Sequence, residues 1–247
     1  MRWTEQPIVM VDTETTGLLW TTHRIIEVAA AAFRLTSDPL RPEFLGTFET
    51  LVNPGSEALL HPDTPEALSV NQIRIEDIES APSFPQVAPL LDDFLEGIAS
   101  LGSGKGLSIS AFNAEFDHRM LVAEWLRTGL RLPSWLECND SSNSGWLDPL
   151  IWCRDANKYA KGGHSLANQR ERLGIVSDGP AHRALTDVMD AAKVMNWLFN
   201  GGHPSLKAAF LGNQGLGEKK VLVAYQDILA TGQLHEILKW FFEKQGE

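Results

Sequence analysis

The segment "IVMVDTETTGLLW", Ile8 to Trp20, constrains the fold more than any other stretch of this chain. Ile8 to Val11 is a short apolar run followed by turn residues, the pattern of a buried strand. It stops at Asp12-Thr13-Glu14 and turns through Thr15-Thr16-Gly17. Residues i and i+2 of a strand face the same side, so the two carboxylates project together from the end of a buried element. Two like charges held that close repel, and each is costly where solvent is poor. A divalent cation bound by hard oxygen ligands resolves the conflict. A turn capped by Asp12 beside a solvated Glu14 is the alternative, and the segment taken alone fits both.

Two further segments bear on that choice. In "ISAFNAEFDHRML" a strand ends, Asn113 is placed as the N-cap of a helix running to about Thr128, and Asp117 falls one turn in. On its own Asp117 is a first-turn aspartate that suits the helix dipole. In "AHRALTDVMDAAKVM" His182 precedes a helix and Asp187 follows five residues later. That spacing is a poor match to one helix face, so the pair converges only if His182 lies on the entering loop. His is also the side chain whose unperturbed pKa suits it to take a proton from water near neutrality. Together these acids form a self-repelling cluster that two divalent ions would neutralise. Ions about 4 Å apart stabilise the attacking and leaving oxygens of an in-line phosphoryl displacement.

The rest of the chain reads as an α/β domain with a mixed sheet. "RIIEVAAAAFRL" fits strand or helix by pattern, and its neighbour "FLGTFETLVNP" favours strands 2 and 3 of a meander. Helical patterns are predicted over 66–79, 86–99, "SLANQRERLG" with a stop at Gly174, and "ALTDVMDAAKVMNWLF". Gly201 to Lys220 reads as linker. The segment 221–244 carries Leu234, Ile237, Leu238 and Phe241 at helical spacing. The expected division is therefore 1–200 for the catalytic domain and 201–247 for a linker plus C-terminal helical extension.

The order and spacing of "VDTETTGL", "HRIIEVAAAAF", "LVNP", "FNAEFD", "WLDPLIWCRD", "HSLANQRERLGI" and "HRALTDV" resemble the DEDDh (DnaQ-like) branch of the DEDD 3′–5′ exonucleases. The likeness spans about residues 6–199. It implies a ribonuclease-H-like fold, a mixed five-stranded sheet flanked by helices. It implies that Asp12, Glu14, Asp117 and Asp187 bind two divalent metal ions, Mg²⁺ with Mn²⁺ able to substitute. It also implies that His182 is the general base. Thr15, Thr16 and Gly17 resemble the turn that packs against the terminal nucleotide, and Leu18 resembles an apolar wedge; a plain tight turn with a core Leu fits these four residues as well. Phe112 and Asn113 stand where the family often has His-Asn, and Phe112 could stack on a base or simply pack. Pro149 and Asn71 are further departures. Glu27, His118, Asp148, His164 and Asp190 read as caps, buried hydrogen-bond partners or solvated residues.

The reaction so implied is removal of nucleoside monophosphates from single-stranded or frayed 3′ ends, with DNA favoured over RNA although no motif reports the 2′-hydroxyl. The alternative is a proofreading-type subunit or adaptor that docks a polymerase or other protein through 221–244, using Trp240 and Phe242 among its anchors. The formal charge of -11 argues against tight, sequence-independent duplex binding. After residue 200 five lysines balance five acids, so the whole excess lies in residues 1–200. Cys138 and Cys153 form no C-x-x-C pair, which makes a zinc or disulfide framework unexpected. No stretch reaches membrane-span length and the N-terminus lacks the pattern of a signal peptide, so a cytoplasmic enzyme is expected. The sequence leaves the oligomeric state open.

Overall fold

The structure is a computed structural model, which describes residues 6–102, 107–137, 146–180, 182–204, 206–207 and 226. Strands β1 (Ile8–Thr15), β2 (Ile25–Arg34), β3 (Glu43–Leu51) and β4 (Ser108–Ser110) form a sheet of order β3-β2-β1-β4. The β1–β2 and β2–β3 pairs are antiparallel, and β1 pairs with β4 in parallel. Among the described residues the sheet has four strands. The position beyond β4 is held by Leu147 through a single parallel bridge to Ser110. Leu147 donates its N–H to the Ile109 carbonyl at 2.9 Å, and its own carbonyl accepts from Ala111 N at 3.1 Å.

Strand alternation decides which residues meet which helices. Val9 and Val11 of β1, with Val28, Ala30 and Ala32 of β2, pack under α4 (Phe84–Ser100) and α5 (Ala114–Arg127). Ile8 and Met10, with Ala29, Ala31 and Phe33, pack under α6 (Pro149–Ala156) and α8 (Ala184–Trp197). The alanine run of β2 is a strand because it lies between β1 and β3 with helices over both faces. Small side chains there let both helical layers approach closely, and burial overrides alanine's helical preference.

Local chemistry explains where the helices differ from expectation. The pattern over 66–79 is two helices, α2 (Thr64–Asn71) and α3 (Ile75–Glu79), because Gln72 adopts φ 55° and ends the first. Short α1 (Ser56–Leu59) precedes them. Helix α4 starts at Phe84, where Ser83 and Gln86 form a capping box. Asn113 does occupy the position before α5, yet at φ 78° and with no side-chain cap bond. The cap comes from Asp148, whose carboxylate accepts from Asn113 N and Ala114 N, each at 3.1 Å. The same carboxylate accepts from Leu150 N at 2.8 Å and starts α6. Helix α6 had a readable signal, an Asp N-cap followed by Pro at the first helical position. Helix α7 (Leu166–Leu173) begins at Ser165 and stops at Gly174, φ 62°.

Almost all of 208–247 lies outside the described residues, and with it the docking segment and most of the proposed linker. The described start of that linker is instead packed on the domain: His203 and Leu206 are buried, and His203 Nε2 lies 2.7 Å from Asp155 Oδ2. Gln226 is described. It is buried, accepts at Oε1 from Asp148 N at 2.7 Å and Trp152 Nε1 at 3.0 Å, and donates from Nε2 to the Trp146 carbonyl at 3.0 Å. No helix among the described residues is long and apolar enough to cross a membrane.

Candidate active site

Asp12 and Glu14 continue the β1 face that carries Ile8 and Met10, so they point toward α8. Asp187 stands in the first turn of that helix. One carboxylate oxygen from each of Asp12, Glu14 and Asp187 lies within 4.8 Å of the others. Thr13 points to the opposite face, toward α5. Strand β4 ends at Ser110, opposite Met10, so the edge of β1 beyond it is free to meet α5. Asp117 takes that place and its Oδ1 accepts from Thr13 N at 2.9 Å and Thr13 Oγ1 at 2.8 Å. The structure thus gathers three of the acids directly and sets Asp117 against the strand beside them.

The electrostatics of the four carboxyls are those of a site short of positive charge. Burial, then Asp117 and Glu14, pushes Asp12 well above the usual carboxylate range. Burial, then Asp187, raises Glu14 to about 8. Burial raises Asp117 to about 7 against the pull of the two Thr13 bonds. Burial also raises Asp187, opposed by Arg170 and His182. Four mutually repelling, poorly solvated oxygen donors suit a hard divalent cation, which replaces the protons the cluster otherwise holds.

His182 is exposed on the loop before α8 at φ 58°, the entering-loop position its spacing required. The start of α8 is fixed by Glu27 of β2, which lies opposite Glu14 in the β1–β2 register. The Glu27 carboxylate accepts from Ala184 N at 3.0 Å and from Arg183 Nη2 at 2.7 Å. Arg170 of α7 was not singled out in the sequence. Its Nη2 donates to Asp187 Oδ1, and its Nε lies 2.7 Å from Asp190 Oδ2. No local pattern signals that contact, since seventeen residues of chain separate the partners.

Thr15 and Thr16 are buried and stabilise the turn. Thr15 Oγ1 donates to the Gly17 carbonyl at 2.7 Å, and Thr16 Oγ1 accepts from Arg24 N at 3.0 Å. Gly17 is required by close approach, because a Cβ there would meet the His23 ring at 2.6 Å. Leu18 is 79% exposed, which rules out the core packing that the sequence left open for it. Phe112 packs against the cluster under α8. Asn71 donates from Nδ2 to the Thr15 carbonyl at 3.4 Å and so ties α2 to the turn. The polar residues read as structural are bonded: His118 Nε2 to the Leu136 carbonyl at 3.1 Å, His164 Nε2 to the Asn157 carbonyl at 2.8 Å, and Asp190 to Arg170, Ser177 and Lys193.

His23, His61 and Asp63 form a second group with metal-ligand spacing. Both imidazoles accept backbone N–H bonds at Nδ1, from Leu19 at 2.9 Å and from Asp63 at 3.3 Å. In the neutral ring the other nitrogen then carries the proton and has no lone pair to give a metal. His23 Nε2 instead lies 3.3 Å from Asp63 Oδ2, so this group braces the turn.

A family model described as Exonuclease (RNase_T) matches residues 9–195. This chain belongs to that exonuclease family. A curated relative, "Exonuclease DPD1, chloroplastic/mitochondrial" of Arabidopsis thaliana, is 30% identical over 198 residues, covering 77% of this chain and 55% of the relative. The chain therefore spans about half the length of that protein. A full-length 3′-exonuclease superposes with TM-score 0.65 at 19% identity, over 81% of this chain and 62% of the other. The nuclease domain of 3′hExo, a DEDDh family member solved bound to rAMP, superposes with TM-score 0.62 at 20% identity, over 81% of this chain and 94% of that domain. The domain of this chain thus has the ribonuclease-H-like fold that these exonucleases share.

Proposed function

We propose that this chain is a divalent-metal-dependent 3′–5′ exonuclease that releases nucleoside monophosphates from single-stranded or frayed 3′ ends. The observation that carries the reading is the convergence of Asp12, Glu14 and Asp187 within 4.8 Å, with Asp117 beside them on the strand. Asp12, Glu14, Asp117 and Asp187 would hold the ions, Mg²⁺ or Mn²⁺. Two bound divalent ions would supply charge for the attacking and leaving oxygens and make water more acidic.

The residues of the chain do the rest. His182 takes the proton from the attacking water at a ring nitrogen, and its exposure lets it pass that proton to solvent. The water oxygen bonds to phosphorus and the P–O3′ bond to the preceding nucleotide breaks. The departing oxygen is protonated, leaving a new 3′-hydroxyl and a 5′-monophosphate. The Thr15–Gly17 turn abuts the terminal nucleotide and Leu18 wedges at its base. Phe112 and Asn113 stand at the start of the Asp117 helix and would border the bound nucleotide there. The exposed side chains directly after the turn, Leu18 and Leu19, carry no hydrogen-bonding group for a 2′-hydroxyl, which supports DNA as the better substrate.

The test is digestion of a 3′-labelled single strand, of a duplex with a mismatched 3′ end, and of RNA, each with Mg²⁺ or Mn²⁺ and with chelator. Asp12→Asn should abolish metal-dependent release of monophosphates. His182→Ala should lower turnover by about 10²–10⁴-fold. Full activity of Asp12→Asn, or equal activity in chelator, would remove the assignment. RNA cut as fast as DNA would remove the preference alone.

A further inference from the structure

The loop that leaves β1 holds three successive large apolar side chains in water. Leu18, Leu19 and Trp20 are 79%, 61% and 44% exposed. Such a patch marks an interaction site when the backbone beneath it is held in place. Leu19 N–H donates to His23 Nδ1 at 2.9 Å, and the Trp20 carbonyl accepts from Arg127 Nη2. Thr16 N donates to the Arg24 carbonyl at 2.9 Å and closes the base of the loop.

The same two arginines meet over one acid. Arg24 donates from Nε and Nη2 to Glu124 at 2.5 and 2.8 Å, and Arg127 Nη1 donates to Glu124 Oε1 at 3.2 Å. The Glu124 side chain is 1% exposed, whereas those of Arg24 and Arg127 are 26% and 25% exposed. One arginine would neutralise the buried carboxylate. The second leaves a surplus positive charge at the surface of a chain whose net charge is -11. An exposed indole beside guanidinium groups is the combination that grips single strands, by base stacking and by phosphate contact.

We propose that Trp20, Arg127 and Arg24 form a binding track for the single strand behind its 3′ end; the proposal rests on the exonuclease reading above. Ten residues of α5 separate Arg127 from Asp117, about 15 Å along the helix. At 3.4 Å per stacked nucleotide that puts Arg127 roughly four nucleotides from the cut, with Trp20, two residues past Leu18, meeting the strand nearer its 3′ end. The track therefore meets the strand upstream of the terminal nucleotide. Arg24 also lines a cavity of about 520 Å³ with Asn53, Pro54, Gly55, Ser83 and Gln86, which gives the strand room.

The experiment compares a 12-nucleotide single strand with a dinucleotide, using the full chain and Mn²⁺. Trp20→Ala and Arg127→Gln should each raise KM on the longer substrate about tenfold more than on the dinucleotide, and Trp20→Phe should restore most of the loss. Arg127→Gln should also flatten the dependence of log kcat/KM on log salt by about 0.7, while Arg127→Lys keeps the slope. Arg74→Gln removes a surface charge paired with Asp77 and serves as the control, changing neither quantity. Active wild-type protein whose variants show no length dependence and no change of slope would overturn the track alone. A wild type that cuts neither substrate sinks the exonuclease reading and the track with it. If Arg127→Gln does not fold, the Trp20→Ala and Trp20→Phe pair decides.

Discussion

Burial and the nearby Asp187 carboxylate hold the Glu14 carboxyl up at about 8, and burial holds Asp117 up at about 7. In an unfolded chain both groups ionise near 4. Between those limits the folded, metal-free protein binds more protons than the unfolded chain, so its stability falls as pH rises. The melting temperature in chelator should therefore drop from about pH 5 to pH 8. Saturating Mn²⁺ should flatten that slope by taking the place of the protons. Scanning calorimetry at several pH values with and without metal is the check; a metal-free protein that gains stability toward pH 8 would contradict the picture. The acids themselves were legible in the sequence, because strand alternation makes Asp12 and Glu14 neighbours without further information. Arg170 and Thr13 were not, since each acts on an acid from a distant segment.

At the level of elements, the position of α8 relative to β1 depends on Glu27. Its carboxylate binds the first N–H of the helix and the Arg183 guanidinium, while its charge also raises Asp12 and Glu14. Glu27→Ala should cost about 1–3 kcal/mol through the buried N–H it leaves unpaired. The loss should be largest near pH 5. At higher pH, relief of repulsion on the ionised cluster offsets part of it. Denaturant unfolding at both pH values measures this, with a fall in Mn²⁺ affinity expected because Asp187 rides on the helix. Helix α5 shows how far sequence goes at this scale. Its start at Asn113 was readable, but the acid that caps it, Asp148, lies thirty-five residues away. Helix α6 carries a local signal of its own, Asp148 as N-cap followed by Pro149 at the first helical position.

Across the whole molecule, the polar contacts of Gln226 link the C-terminal segment to the domain. Gln226 satisfies the Asp148 amide and the Trp152 indole, and Asp148 in turn caps the Asp117 helix. Gln226→Ala removes the acceptor of the buried Asp148 amide, at a cost of about 1–3 kcal/mol where water cannot enter. Deleting residues 208–247 should lower the free energy of unfolding, measured by denaturant titration, by at least as much. A deletion protein as stable as the full chain would mean that the tail contributes nothing to the core.

The sequence by itself determined the central strand, the acids at its end and their order along the chain, because alternation and turn chemistry are local. Only the tertiary structure decided that Asp187 joins Asp12 and Glu14 while Asp117 grips Thr13 from the other face. It also placed two arginines on one buried glutamate beside an exposed tryptophan. Those choices depend on which helix covers which side of the sheet, and no short stretch of residues carries that information.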